Sequence, residues 1–228
     1  MDLIINGTSL SSLGVIVKNQ TRYIKPKRRT TSYYVDGQDG VNIVEGYGYD
    51  AYILPFNITL TDPTKFDQIY ALLDGNVILE TSDDEGKFRY AKVLEDLEYN
   101  PVALWKETTV EFLIYKPFRY VKAESNVTLT SSGNVTNQGT VNSLPLLKIT
   151  GSGTVVLTIG GRSFTYVFGA ESFVYIDSAI PEAYSASTTD YKNANMTGAF
   201  PYLTPGVNAI SWTGTVTQLI ITPRSRFL

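Results

Sequence analysis

Leu54-Pro55-Phe56-Asn57-Ile58-Thr59-Leu60-Thr61-Asp62-Pro63-Thr64-Lys65-Phe66-Asp67-Gln68-Ile69-Tyr70-Ala71-Leu72-Leu73-Asp74-Gly75 carries two periodicities in succession. Leu54, Phe56, Ile58 and Leu60 alternate with Pro55, Asn57 and Thr59, and a period of two places one face of a strand in a core. Asp62 then supplies an N-cap carboxylate, and Pro63 falls at the first helical position, where a missing N–H costs nothing. Phe66, Ile69, Tyr70 and Leu73 follow at i, i+3, i+4 and i+7, the stripe of an amphipathic helix, with Gly75 to end it. This is the one helix that the sequence predicts.

Outward from this stretch the chain reads as strands. Towards the N-terminus, Leu3–Ile5 and Gly14–Val17 are short apolar runs, and an extended pattern resumes at Thr31–Val35. Asp36-Gly37-Gln38-Asp39-Gly40 is a tight reversal whose glycines supply positive φ. It lacks the spacing and the terminal glutamate of a calcium loop. Towards the C-terminus, Asn76–Thr81 is followed by an acidic turn at Asp83-Asp84-Glu85-Gly86 and by extended runs over Lys87–Tyr99 and Ala103–Phe118. Val110, Phe112 and Ile114 again alternate.

Near residue 120 the composition shifts. Ser125–Gly139 is almost free of charge and rich in Thr, Asn, Ser and Gly, which places a domain boundary between 1–120 and 121–228. Beyond it come Leu146–Thr150, a Gly151-Ser152-Gly153 turn, an alternating Val155–Ile159, a Gly160-Gly161 hairpin, Ser163–Phe168 and Phe173–Asp177. Ala209–Thr213 and Val216–Thr222, joined through Gly214, close the series. Short strands at this spacing predict a sandwich. The fold class read from the sequence is therefore mainly β with one α-helix: an N-terminal β-sandwich-like domain carrying the helix, and a C-terminal β-sandwich.

The chain contains no histidine and no cysteine among 228 residues. That removes the usual near-neutral bases, thiolate nucleophiles and tight transition-metal ligands. A net charge of −3 argues against a polyanion binder of the ordinary basic kind. The N-terminus has no basic region followed by an apolar run, so neither a secretory signal nor a membrane span is expected, and synthesis in a cytoplasm follows. Glu171, Asp177, Glu182 and Asp190 could serve a two-carboxylate glycosidase only if folding paired them across a cleft; a turn role for Asp177 is the simpler reading. No phosphate loop, dinucleotide fingerprint or nucleophile elbow is present. No catalysis, no metal and no cofactor are expected.

Several short motifs, in order, carry a family resemblance. Ser12-Leu13-Gly14-Val15, Asp36-Gly37-Gln38-Asp39-Gly40, Leu54-Pro55-Phe56, the lone helix and Tyr115-Lys116-Pro117-Phe118 resemble the N-terminal domain of siphophage distal tail (Dit) proteins. Gly151-Ser152-Gly153, Ile176-Asp177-Ser178, Phe200-Pro201, Pro205-Gly206-Val207-Asn208 and Trp212 resemble the galectin-like C-terminal sandwich of the same family. The resemblance implies a structural part of the virion tail tip, assembled in the host cytoplasm without membrane insertion. It further implies a homohexameric ring built by the N-terminal domain, joined to the tail tube protein, the tail-tip protein and receptor-binding proteins. DNA would meet it only by passing through the lumen.

Two charge clusters are the candidate lumen or inter-subunit residues. Arg22, Lys25, Lys27, Arg28 and Arg29 form a basic stretch that faces DNA or an acidic partner, or is simply a solvated loop. Asp83, Asp84 and Glu85 form the opposite-sign turn, which could meet those arginines across a subunit boundary or be a plain hydrophilic tip. The rival function is a carbohydrate-binding module for host attachment, with Tyr166, Tyr175, Tyr184, Tyr191, Tyr202 and Trp212 as platform aromatics. Alternation around Trp212 assigns that side chain to the interior instead.

Overall fold

The computed structural model describes residues 1–93 and 106–228. The chain divides into two compact units: Met1–Arg119 with Leu228, and Tyr120–Phe227.

In the first unit the strands are β1 (Leu3–Ile5), β2 (Thr8–Ser9), β3 (Val15–Val17), β4 (Arg28–Tyr33), β5 (Asn42–Tyr49), β6 (Tyr52–Leu60), β7 (Asn76–Thr81), β8 (Lys87–Val93) and β9 (Lys106–Val121). Seven of them form one sheet in the order β2-β1-β7-β8-β9-β6-β3. Leu54, Phe56, Ile58 and Leu60 are buried as their alternation predicts, and so are Val110, Phe112 and Ile114 on β9. In the β6–β9 register Phe56 faces Val110 and Leu54 faces Phe112. The Phe56 and Phe112 rings meet edge to face, 5.9 Å apart. Leu3 and Ile5 from one end of the sheet, and Val15 and Val17 from the other, enter the same core, so the sheet curls around it.

Pro55 cannot donate a ladder hydrogen bond, and the sheet accommodates it where β3 stops. There the Asn19 side chain takes over: its amide donates to the Pro55 carbonyl at 3.0 Å, and its oxygen accepts from Asn57 N at 2.7 Å. The helix, α1 (Phe66–Leu72), follows a single 3₁₀ turn at Pro63–Lys65. Asp62 caps that turn by accepting from Thr64 N at 3.0 Å. Ile69 and Leu73 are its buried contacts, and Gly75 at φ +68° lies two residues past the C-cap Leu73 rather than directly after it.

Among the described residues β4 and β5 pair only with each other, as a two-stranded ribbon. Arg28 and Arg29, read from sequence as part of a loop, are the first residues of β4. β5 has no counterpart in the sequence reading. The extended runs placed over Lys87–Tyr99 and Ala103–Phe118 hold for Lys87–Val93 and from Lys106 on, and their facing ends lie outside the described residues.

The second unit contains β10 (Val127–Leu129), β11 (Gly133–Asn137), β12 (Leu146–Ile159), β13 (Arg162–Val167), β14 (Phe173–Asp177), β15 (Glu182–Tyr184), β16 (Met196–Thr197) and β17 (Gly206–Thr222). The Gly151-Ser152-Gly153 turn and the break at Gly214 are corrected here: β12 and β17 are each continuous, 14 and 17 residues long, and pair antiparallel along most of their length. Register shifts beside Gly151 and between Ser152 and Val156 mark bulges, which bend both strands instead of ending them. The first half of β12 then pairs with β14 and the second half with β13, so one long strand serves two parts of a sandwich.

The glycines at the bend are required by contact. A Cβ at Gly214, φ +91°, would lie 2.2 Å from the Thr154 carbonyl oxygen. Gly214→Ala is expected to lower the stability of the second unit by about 2 kcal/mol, read as an earlier urea midpoint, because clash and left-handed backbone both oppose it. Unchanged stability would show that the bend relaxes freely. The Gly160-Gly161 hairpin is as predicted, with both glycines at positive φ.

Candidate functional site

The acidic turn is not a plain hydrophilic tip. Asp84 is 7% exposed and Arg89, five residues on along β8, is 1% exposed. The Arg89 Nη2 donates to Asp84 Oδ2 at 2.7 Å. Lys87 Nζ lies 3.3 Å from the same carboxylate and Arg119 Nη1 lies 3.4 Å from it. One buried carboxylate therefore faces three cations, none of them from the basic stretch. A buried charge is tolerated only when paired in this way.

Asp83, by contrast, holds the start of the basic stretch. It accepts from Thr21 N at 3.1 Å and from Thr21 Oγ1 at 2.7 Å, and its carbonyl accepts from the Tyr23 hydroxyl at 2.8 Å. Burial raises its carboxyl pKa, but the Thr21 hydrogen bonds outweigh that and hold it below its ordinary value. Tyr23 also lies under the Arg119 guanidinium, 5.6 Å from ring centre to Cζ.

The basic residues divide. Arg28 pairs with Glu45 at 2.7 Å and Arg29 with Asp50 at 2.9 Å, both on the ribbon and its exit. Arg22, Lys25 and Lys27 are exposed, as is Glu85. The structure thus brings Asp83 to the chain beside Arg22, but keeps Asp84 for Arg89 and Arg119. Sequence reasoning missed Arg89 and Arg119. The signal for Arg89 was available, because it shares the inward face of β8 with Ala91, and an arginine at an inward position demands a buried anion.

The ribbon is the second feature. All six residues of β4 are exposed. Tyr34 is 82% exposed and Ile43 62%, and Tyr33, Val35, Val41 and Val44 are also exposed. So many exposed apolar side chains on one short ribbon are a candidate interaction surface, and a two-stranded ribbon on its own is marginal in water.

In the second unit the four carboxylates fall into two neighbourhoods, Asp177 opposite Glu182 in the β14–β15 register, and Glu171 with Asp190 around Tyr166 and Lys192. Asp177 receives Arg224 through both nitrogens at 2.6 and 3.0 Å and also accepts from Ala179 N, a strand-end role. Asp190 pairs with Lys192 at 2.9 Å. Glu171 accepts from the Tyr166 hydroxyl at 2.7 Å and from Gly169 N at 3.1 Å. Burial pushes the Glu171 carboxyl up, but those hydrogen bonds and nearby Lys192 prevail and hold it at about 2. The Tyr166 hydroxyl is pushed up, chiefly by burial and then by this carboxylate.

A carboxyl lowered on folding stabilises the protein at pH above its ordinary value of 4.5, and that contribution is lost as pH falls towards 2. Because Glu171 is partly solvated, the contribution is about 1 kcal/mol after screening. Glu171→Gln should flatten the acid limb of stability between these two values, measured by denaturant melts across pH. An unchanged limb would assign acid sensitivity to other groups.

Of the platform aromatics, Tyr175, Tyr184 and Tyr191 lie side by side on neighbouring strands, and the others do not join them as one exposed face. Tyr166 is fully buried, a core residue, and Trp212 is half-buried against the core. Tyr175 and Tyr184 stack 5.2 Å apart with Lys148 beside Tyr175, and Arg162 covers Tyr202 at 3.7 Å. Among the described residues no helix is long and apolar enough to cross a membrane.

Comparison with known proteins separates sequence from shape. No family model and no curated protein matches the chain by sequence. The crystal structure of the SPP1 Dit (gp 19.1) protein, described as a paradigm of the hub adsorption apparatus in phages infecting Gram-positive bacteria, superposes with a TM-score of 0.75. It does so over 100% of this chain and 99% of that one, at 16% identity. This chain has the distal tail protein fold. The Dit resemblance carried by the ordered motifs is therefore a likeness of the whole backbone, helix and both units included.

Proposed function

We propose that the chain is a distal tail protein, a structural hub of a long-tailed phage or prophage. Six copies close into a ring that caps the tail tube, joins it to the tail-tip protein and receptor-binding proteins, and lets DNA pass through its lumen. The observation that carries this reading is the end-to-end likeness to a tail hub, complete in both directions. The exposed apolar ribbon supports it, since a heterologous ring needs surface on each copy that only a neighbour covers. Arg22, Lys25 and Lys27 are the lumen candidates, since Arg28 and Arg29, equally exposed, are ion-paired to Glu45 and Asp50.

Light scattering on the purified protein should give about 151 kDa, six times 25.2 kDa, and negative-stain images should show rings with a channel. A monomer at all concentrations would overturn the reading. The sugar-binding alternative predicts specific signal on a glycan array, and silence there would favour the hub.

A further inference from the structure

On the sheet of the first unit, residues that alternate with the core side chains form a second apolar surface. Ile53 stands opposite Leu113 in the β6–β9 register, and Ile78 stands opposite Tyr90 in the β7–β8 register. The Tyr90 and Tyr115 rings lie 6.3 Å apart, and Tyr115, two residues along β9 from Leu113, shares its side of the strand. These side chains follow one another across four adjacent strands, β7, β8, β9 and β6, on the face away from the core. Ile53 is 48% exposed, Ile78 40% and Tyr115 37%. A sheet face left to water is ordinarily polar, so exposed isoleucines on it call for a cover.

We propose that this face seats the β4–β5 ribbon of the neighbouring copy. The assignment rests on the ring reading and names the second half of its interface. A head-to-tail contact that closes a ring joins two different patches, so each copy needs a receiving surface distinct from the one it offers. The ribbon is the patch offered. A six-residue strand such as β4 spans about 20 Å and four adjacent strands about 14 Å across, so the ribbon is long enough to cross the row. Charge fits as well. The loop at the ribbon's tip carries exposed Asp36 and Asp39, with no lysine or arginine between Tyr33 and Tyr49. On the face, exposed Lys92 lies two residues along β8 from Tyr90, and the Lys116 ammonium lies 4.1 Å from the Tyr90 ring centre. Glu80 and Glu111, two residues from Ile78 and Leu113, repel an acidic tip, which leaves the lysines as its place.

In light scattering, the face variant Ile53→Asp with Ile78→Asp should run at 25.2 kDa where the wild type runs at about 151 kDa, six times 25.2 kDa. Mixed in equal amounts with the ribbon variant Ile43→Asp with Val44→Asp, it should give about 50 kDa, two times 25.2 kDa, and nothing larger. Such a pair keeps one intact ribbon and one intact face. Carbodiimide joins a carboxylate to an amine in direct contact. Applied to wild-type rings assembled from ordinary and heavy-nitrogen subunits, it should give mixed-isotope links from Asp36 or Asp39 to Lys92 or Lys116. That readout needs no substitution, so it decides the matter even if the face variant fails to fold. Wild-type protein at 25.2 kDa at all concentrations overturns the ring and this pairing together. With the ring present, six-copy particles of the face variant, a mixture that stays at 25.2 kDa, or rings without those links overturn the pairing alone.

Discussion

Replacing Ile43 and Val44 together by aspartate is expected to turn a particle of about 151 kDa, six times 25.2 kDa, into a 25.2 kDa monomer in light scattering. Both residues lie on β5, both are exposed, and neither contributes to the hydrophobic core. As neighbours along a strand they point to opposite faces, so the ribbon offers apolar surface on both sides. Burying a Val or Ile side chain against a partner stabilises by about 1.5–3 kcal/mol, and an aspartate there adds the cost of an unpaired buried charge. In a closed ring that loss recurs at every interface. The fold should survive, because among the described residues the ribbon pairs with no other strand. Urea unfolding of the variant should therefore match that of the isolated wild-type subunit. If the double variant still runs at the mass of six copies, the ribbon is not the ring interface.

What the residues disclosed in advance follows from how each position is buried. Leu54, Phe56, Ile58 and Leu60 were legible because a half-buried strand writes its own alternation. The Asp62-Pro63 start of the helix was legible because capping is local chemistry. The continuity of β12 and β17 was not, since a glycine between two alternating runs reads as a turn. Only the partner strand, passing 2.2 Å from where a Cβ at Gly214 would lie, shows it to be a bend. The ribbon was half hidden for another reason: Arg28-Arg29-Thr30-Thr31-Ser32-Tyr33 has no buried face, and so no periodicity.

The candidate site divides along the same line. The charge clusters were visible as composition, but composition does not state which charge is buried. Asp83 and Asp84 are adjacent in sequence and point to different fates, one clamping Thr21 at the surface and the other locked under Arg89. The Dit likeness emerged from motif order because loops and turns keep their sequence signals when cores are freely exchanged for other apolar residues. At 16% identity, that order is most of what remains to be read.

Asp84→Ala is expected to cost the first unit about 3–5 kcal/mol, measured by chemical unfolding, because it leaves Arg89 charged, buried and without a counter-ion. Arg89 cannot escape by losing its proton, and at 1% exposure it cannot reach water without moving β8. Lys87 and Arg119, which share the carboxylate, would then repel it as well. The effect should persist in high salt, since a pair this far from solvent is poorly screened, whereas a surface pair would fade. Replacing both partners, Asp84→Leu with Arg89→Leu, should cost much less than Asp84→Ala alone, because no charge is then stranded. A loss below about 1 kcal/mol for Asp84→Ala, or a double variant no better than the single one, would show that Arg89 finds another anion.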